Sequence, residues 1–170
     1  AVDFFSGSST SFWKVQHFDR PFLAQSGGIF EKILAYAVLD ERELEEWGEL
    51  AGARRREWLS GRIAIKEAVR HWVETRGGER LYPREIEVHR SHSGAPLVEG
   101  WWTEDLCPAP EVSLTHDREC AIAALCDPGQ RIGVDTESVE RVQNPQHLRS
   151  SLSQEERAQA ADAEVRDVND

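Results

Sequence analysis

The hydrophobic period of this chain changes once, and that change limits the folds that it can adopt. Residues 53–76, ARRREWLSGRIAIKEAVRHWVETR, have the spacing of a long amphipathic helix, which a Gly-Gly pair ends. Four large apolar residues share one face of this helix: Trp58, Ile65, Val69 and Trp72. From residue 86 onward the apolar residues alternate, which is the period of β-strands. The sequence therefore predicts an α+β fold.

Shorter segments on both sides of the long helix add detail to this prediction. Residues 28–39, GIFEKILAYAVL, have helical spacing, and Asp40 with Glu43 has the pattern of a capping box that opens a second helix. After the long helix, we predict strands at EIEVHR, PLV, EVSLTH, CAIAALC and RIGVDTE. We therefore expect residues 86–137 to form an antiparallel meander that packs behind the helix.

Charge and cysteine content exclude several classes of function. The formal net charge of the 170-residue chain is −11, which argues against general binding of nucleic acid. Residues 54–90 nevertheless hold ten Arg or Lys against six Asp or Glu, which indicates a local anion site. No segment has the pattern of a membrane span or a signal peptide. The three cysteines fit no zinc spacing, so we expect buried, reduced thiols and a cytoplasmic location.

Two carboxylates at the end of the last predicted strand are candidate metal ligands. Asp135 and Glu137 lie two residues apart in GVDTESV, and alternate residues of a strand project from the same face. Such a pair can bind Mg²⁺, whose octahedron is then completed by phosphate and water oxygens. A solvent-exposed strand end, where acids aid solubility, explains the same pattern, so both interpretations stay open.

Basic residues elsewhere are candidate ligands for phosphate. His116 ends the strand EVSLTH and Arg90 ends EIEVHR, and each suits either an anionic ligand or an ordinary structural or solvated role. Arg62, Lys66 and Arg70 follow one another at four-residue spacing on the long helix. This row is either a phosphate-facing stripe or the solvated face of an amphipathic helix.

Taken in order, these segments resemble the 4'-phosphopantetheinyl transferases, specifically the larger type in which one chain contains two similar halves. The resemblance is carried by REWLSGRIAIKEAVR, HRSHSGAPLV, VSLTHDRECAIAAL and IGVDTE, and it spans residues 53–157. It implies a pseudo-two-fold fold with two small antiparallel sheets, each packed on a helix. The stretch WKVQHFDRPF…YAVLDERELEEW also resembles the region before such domains at the end of iterative, enediyne-type polyketide synthases.

The resemblance implies a reaction and a role for each matching residue. A serine hydroxyl of an acyl carrier protein attacks the phosphorus bearing the pantetheine arm of coenzyme A, and 3',5'-ADP leaves. Asp135 and Glu137 would bind Mg²⁺. The residues implied to act in catalysis are Asp135, Glu137, Glu156 and His116. The residues implied to bind the phosphates of coenzyme A are Arg90, Thr115, His116, Arg62 and Lys66.

The chain departs from the family pattern at three places. Ala95 replaces the basic residue between Gly and Pro in the turn, and Thr115 replaces Ser or Asn. The family's last motif, an aromatic residue followed by Lys-Glu-Ala or Lys-Glu-Ser, does not appear after Asp135. The similar segment IAIKEAVR, residues 63–70, is interpreted as its pseudo-symmetric counterpart in the first half.

These departures leave three hypotheses and one prediction of domain organisation. The chain is an Mg²⁺-dependent transferase, a non-catalytic or truncated relative that only docks a carrier protein, or a generic metal-dependent phosphoesterase. The last of these does not explain the order of Arg90, His116 and Asp135. Because the chain lacks an initiating Met, we expect a piece of a longer protein. Its expected parts are a leader (1–39), a first half (40–130) and the start of a truncated second half (131–170).

Overall fold

A computed structural model describes residues 14–19, 28–105, 107–117 and 120–136 of the chain, the first of these ranges by its backbone alone. The elements follow in this order: β1 (Lys14–Asp19), α1 (Ile29–Val38), α2 (Glu41–Glu49), α3 (Gly52–Thr75), β2 (Glu87–Arg90), β3 (Pro96–Glu99), α4 (Trp102–Asp105), β4 (Glu111–His116) and β5 (Cys120–Cys126). A short 3-10 helix, Pro83–Glu85, precedes β2.

The strands form two small antiparallel sheets, which confirms the predicted α+β class. Strands β2 and β3 form a hairpin, while β1, β5 and β4 form a second sheet in that order. In the β2–β3 ladder Arg90 pairs with Pro96, and in the β4–β5 ladder His116 pairs with Ala121. Both basic residues therefore stand at the turn end of their hairpins.

Helix α3 joins the two sheets into one apolar core. Ile65, Val69 and Trp72 are buried, as the helical spacing predicts, and Trp58 is half-buried. Ile65, Val69 and Trp72 share a core cluster with Val88 and Val98 of the hairpin and with residues of the three-stranded sheet. Both sheets are thus positioned by the same helix.

The preceding helices pack on another side of α3. Their buried apolar residues form a second cluster with Leu59 and Ile63 of α3. The members from α1, α2 and the segment between them are Ala35, Val38, Leu39 and Trp47. The predicted capping box of α2 is confirmed, since Asp40 Oδ1 accepts from the Glu43 amide at 2.8 Å and Glu43 Oε2 accepts from the Asp40 amide at 3.2 Å.

A buried ionic network connects these helices. Lys66 is fully buried; its Nζ contacts Glu43 Oε2 and donates to the Val38 carbonyl at 2.9 Å. Arg62 is also buried, with Nε 3.3 Å from Glu43 Oε1. Burial raises the pKa of Glu43 and lowers the pKa of Lys66, each against the attraction of the other. The interpretation of this helix row as a solvated face is therefore wrong, because two of its cations lie inside the protein.

Two further expectations are corrected by the structure. The single meander is wrong, because the two hairpins belong to different sheets and β1, which was not predicted, pairs with β5. The strand predicted at RIGVDTE is also wrong, because residues 131–136 have no regular structure. There the Val134 amide donates to the side-chain Oγ of Ser113 at 3.1 Å. This side-chain bond takes the place of a main-chain ladder.

Other expectations concern cysteines and membranes. None of the three cysteines, all of which lie in the described part of the chain, forms a disulfide; Cys120 and Cys126 are buried and Cys107 is half-buried. Over the part of the chain that the structure describes, no helix combines the length and apolar character that crossing a bilayer requires. Within residues 14–39, β1 pairs with β5 and residues of α1 enter the second cluster.

We predict that Glu43→Ala destabilises the fold by about 3–5 kcal/mol, because it leaves the buried cations Lys66 and Arg62 without their carboxylate. Urea unfolding followed by tryptophan fluorescence measures the change. The matched control is Glu45→Ala on the exposed face of the same helix, which should change stability by less than about 0.5 kcal/mol. Equal losses in both variants would contradict a stabilising role for the network.

Candidate functional site

A cavity of about 290 Å³ opens between α3, the β2–β3 turn and the end of β4. Its volume is close to the lower end of the range for small-molecule sites. Helix α3 contributes more than half of its lining, and the two hairpins contribute the rest. The lining residues are Arg54, Glu57, Trp58, Gly61, Arg62, Ile65, Arg90, Gly94, Pro96, Leu114 and His116.

Two glycines give the cavity its shape. An added Cβ at Gly61 would lie 3.0 Å from Leu114 Cδ2, so the missing side chain lets β4 approach α3 closely. Gly94 in the β2–β3 turn has φ of 86°, a conformation that residues with a side chain rarely adopt. The turn is closed by bonds between the Gly94 amide and the Ser91 carbonyl and between the Ser91 amide and the Ala95 carbonyl, both 2.9 Å.

The lining carries an excess of positive charge. In the described part of the chain, the lining has three guanidinium groups and one imidazole against a single carboxylate, that of Glu57. Arg54 and Arg90 are exposed and come from different elements, and neither forms a salt bridge with another residue that the structure describes. Such a convergence of cations suits an anionic ligand with more than one charged group.

Arg62 differs from the other two arginines because the protein already neutralises much of its charge. Its Nη2 lies 3.8 Å from Glu46 Oε2, in addition to the contact with Glu43, and its guanidinium lies 4.5 Å from the centre of the Trp58 ring. Burial lowers the pKa of Arg62, the two carboxylates oppose this, and the neighbouring cations Arg42 and Arg90 add to it. Arg62 is thus fixed in place at the cavity wall.

The structure brings some of the predicted site residues together and separates others. Arg62, Arg90 and His116 line one cavity. Lys66 does not, since its ammonium is held by Glu43 and the Val38 carbonyl. Thr115 lies between Leu114 and His116 in β4, and both of these line the cavity. Because successive side chains of a strand project from opposite faces, the side chain of Thr115 projects away from the cavity.

Thr115 instead contacts the first of the predicted metal ligands. Its Oγ1 donates to Asp135 Oδ1 at 3.3 Å, and the same oxygen accepts from the Thr136 amide at 2.9 Å. Asp135 is exposed, and this bond holds it next to β4. The bond is made at Thr115, the residue that precedes His116 in the strand. Glu137 and Glu156 lie outside the described residues.

Sequence reasoning missed most of the contribution of α3. Arg54, Trp58 and Arg62 are spaced by four, and so are Glu57, Gly61 and Ile65, so the cavity wall consists of two adjacent rows of one helix. Once Arg62 was a candidate, this spacing could have identified its neighbours. The candidates predicted from the sequence lie instead on the row through Lys66 and Arg70.

A second, wholly polar depression is a weaker candidate. It is lined by Glu67, Arg70, His71, Glu74 and Arg80, and its two carboxylates balance its two guanidinium groups. Arg70 is also engaged within the protein, because Nη1 bonds Glu67 at 2.6 Å and Nε donates to the Leu81 carbonyl at 2.8 Å. Within the described residues no group of three or more potential metal ligands occurs.

Solved structures share the fold of the protein. The chain aligns with the holo-[acyl-carrier-protein] synthase of Neisseria meningitidis with a TM-score of 0.56 at 20% identity, over 67% of this chain and 94% of that one. It aligns with the Bacillus anthracis enzyme in complex with CoA (3',5'-ADP) with a TM-score of 0.54 at 23% identity, over 67% and 92%. The fold is that of the 4'-phosphopantetheinyl transferase superfamily.

Sequence relatives identify the family. The chain is 34% identical to the holo-[acyl-carrier-protein] synthase of Bacillus subtilis over 95 residues, which are 56% of this chain and 77% of that protein. It is 33% identical to the Geobacillus kaustophilus protein of the same name over 88 residues, 52% and 66% respectively. The chain therefore belongs to the holo-[acyl-carrier-protein] synthase family of phosphopantetheinyl transferases.

These comparisons confirm the superfamily and the enzyme class expected from the sequence. No protein-family model matches the chain. The two-half subtype, the polyketide synthase setting, the domain boundaries and the roles of single residues are not tested by the comparisons and stay predictions.

We predict that Gly61→Val lowers stability by about 1–3 kcal/mol, because its side chain would press on Leu114 and separate α3 from β4. Urea unfolding measures the loss. Gly48→Val is the matched control, since Gly48 lies in helix α2 with no atom within 4 Å of an added Cβ. Because valine has a slightly better helix propensity than glycine, this control should not destabilise the protein.

Proposed function

We propose that this chain transfers the 4'-phosphopantetheine arm of coenzyme A to a serine of an acyl carrier protein and releases 3',5'-ADP. The observation that carries the proposal is the cation-lined cavity between α3 and the two hairpins. Family membership supports it, and so do the Bacillus anthracis and Helicobacter pylori relatives, which were solved in complex with CoA (3',5'-ADP) and with coenzyme A. Coenzyme A carries several phosphate groups, which match the converging cations.

Arg90 and His116 are the proposed phosphate ligands, joined by Arg54. The planar guanidinium of Arg90 can donate two parallel hydrogen bonds to one phosphate, and its exposure leaves it accessible. Arg62 contributes as a fixed charge at the cavity wall. Lys66 acts in this proposal only through Glu43, whose carboxylate it helps to hold near Arg62.

The residues present fit a magnesium ion at Asp135. Its carboxylate is exposed, and Thr115 and the Thr136 amide bond only one of its two oxygens, Oδ1. Mg²⁺ needs just one or two carboxylates when phosphates and water supply the other ligands. We propose Asp135 and Glu137 as the protein ligands and Glu156 as the residue that orders a water or the attacking hydroxyl. When bound, the ion would neutralise charge on the diphosphate.

The reaction needs positioning and charge neutralisation more than covalent chemistry from the protein. The serine oxygen of the carrier forms a bond to the phosphorus that bears the pantetheine arm. The bond from that phosphorus to the bridging oxygen of the diphosphate breaks, and this oxygen leaves with 3',5'-ADP. Arg90 and His116 donate to the departing phosphate, which gains negative charge. The serine proton passes to the water or carboxylate beside the attacking oxygen.

The proposed partner is an acyl carrier protein domain. Its membership of a polyketide synthase rests on the resemblance of residues 13–47 to the region before transferase domains in such enzymes. Because coenzyme A and its carriers are intracellular, the proposal places the protein in the cytoplasm. No nucleic acid or membrane takes part.

The transfer itself is tested by incubating the protein with coenzyme A, Mg²⁺ and an apo carrier protein. Intact-mass spectrometry should show the carrier gaining one phosphopantetheine arm, with 3',5'-ADP released in equal amount. Carrier binding without transfer would favour the non-catalytic alternative. Release of pantetheine phosphate without a carrier would favour a phosphoesterase.

We predict that Arg90→Ala and His116→Ala each weaken coenzyme A binding by about 10- to 100-fold, because each removes a charged hydrogen bond to phosphate. Isothermal titration calorimetry measures the dissociation constant. Lys32→Ala removes an exposed cation of α1 that does not line the cavity and should leave binding unchanged. The phosphate assignment fails if all three variants bind like the wild type.

We expect the acidic carrier to dock on the basic segment 54–90. Some arginines of this segment already pair with residues of the protein itself. Arg55 pairs with Glu31 and stacks on Trp47, and Arg76 pairs with Asp127. Arg56→Glu, outside the cavity lining, should raise the KM for the carrier roughly twofold to tenfold and leave the KM for coenzyme A unchanged. Rising salt should weaken carrier binding by the wild-type protein and reduce the difference in carrier KM between the wild type and the variant. An unchanged carrier KM at low salt would contradict the assignment.

A further inference from the structure

Glu57 is the unexpected residue of the cavity. Among the described residues that line the cavity it is the only carboxylate, and the other charged groups there are cations. A carboxylate there repels a phosphate ligand, so its presence calls for a compensating role. The structure indicates that role by its contact with the imidazole of His116, where Oε1 of Glu57 lies 3.3 Å from Nε2.

The contact depends on how closely α3 and β4 approach each other. Glu57 lies one helical turn before Gly61, and His116 lies two residues after Leu114, whose side chain fills the space left by the glycine. The pair therefore joins neighbouring positions on two elements that are already in contact.

The contact also decides which nitrogen of the ring is available. The two N–H bonds of a protonated imidazole diverge, so a carboxylate on Nε2 leaves the N–H of Nδ1 to a second partner. Within the described residues Nδ1 of His116 has no hydrogen-bond partner, and the side chain is 44% exposed. A ring this exposed at the end of an edge strand would otherwise sample several orientations.

We propose that Glu57 is a positioning residue, which holds Nε2 of His116 so that the Nδ1–H of the protonated ring donates to a phosphate of coenzyme A. This inference rests on the proposed function. Two effects of opposite sign then act on binding, because the negative charge of Glu57 repels the ligand while its contact with Nε2 orients the imidazole. Positioning outweighs repulsion if removal of the side chain weakens binding.

The experiment is a double-mutant cycle on coenzyme A binding, measured by titration calorimetry. Glu57→Ala should raise the dissociation constant about fivefold to tenfold, because the ring loses its acceptor. Glu57→Gln should stay within about twofold of the wild type, since its amide oxygen still accepts from Nε2. In the His116→Ala background, Glu57→Ala should no longer weaken binding. Glu74→Ala, on the same helix outside the cavity, is the control and should have no effect.

Several outcomes overturn the proposal. Binding that is unchanged or tighter in Glu57→Ala would make Glu57 a source of repulsion alone. A loss that persists in the His116→Ala background would show that Glu57 does not act through His116. If the wild type binds coenzyme A, such results overturn only the positioning role. If the wild type does not bind coenzyme A, the proposed function fails together with it. Urea unfolding of each variant identifies any loss caused by misfolding.

Discussion

The carboxylate of Glu43 is the group on which the helical part of the structure depends. It closes the capping box of α2 with Asp40, and from the same position it contacts Lys66 and Arg62 on α3. Lys66 in turn donates to the carbonyl of Val38, the last residue of α1. Three helices thus share one set of buried charges. Such a network adds little net free energy over an apolar core, but it requires one arrangement of the helices, because any other leaves an unpaired charge.

The candidate site depends on the cations that this buried network leaves accessible to a ligand. Lys66 is withdrawn from ligand binding, and Arg62 is held against two carboxylates and the Trp58 ring. The cations that remain accessible come from separate elements: Arg54 from α3 and Arg90 from the end of β2, with the imidazole of His116 at the end of β4. Because each stands on a regular element, their spacing is set by packing before any ligand arrives, which favours binding and transition-state stabilisation.

Local patterns predicted much of this fold, and long-range packing decided the rest. The helix of residues 53–76, the Asp40–Glu43 capping box and the two hairpins follow from spacing and turn chemistry alone. The inward direction of Lys66 does not, because it depends on a glutamate 23 residues earlier in the chain. The irregular path of residues 131–136 also depends on distant groups, the hydroxyls of Ser113 and Thr115. Arg90 and His116 were found because they end strands, whereas Glu57 resembles any acid on an amphipathic helix.

Strand β4 is an edge of its sheet, and the way in which residues 131–136 lie along it has an evolutionary consequence. Two hydroxyls, not a ladder of main-chain bonds, connect Asp135 and Val134 to the strand. Substitution of either hydroxyl would alter the place of the acid and leave the sheet intact. Substitutions at Ser113 and Thr115 during evolution can therefore change or abolish activity without disrupting the fold. Inactive proteins that descend from this one would then keep a native fold.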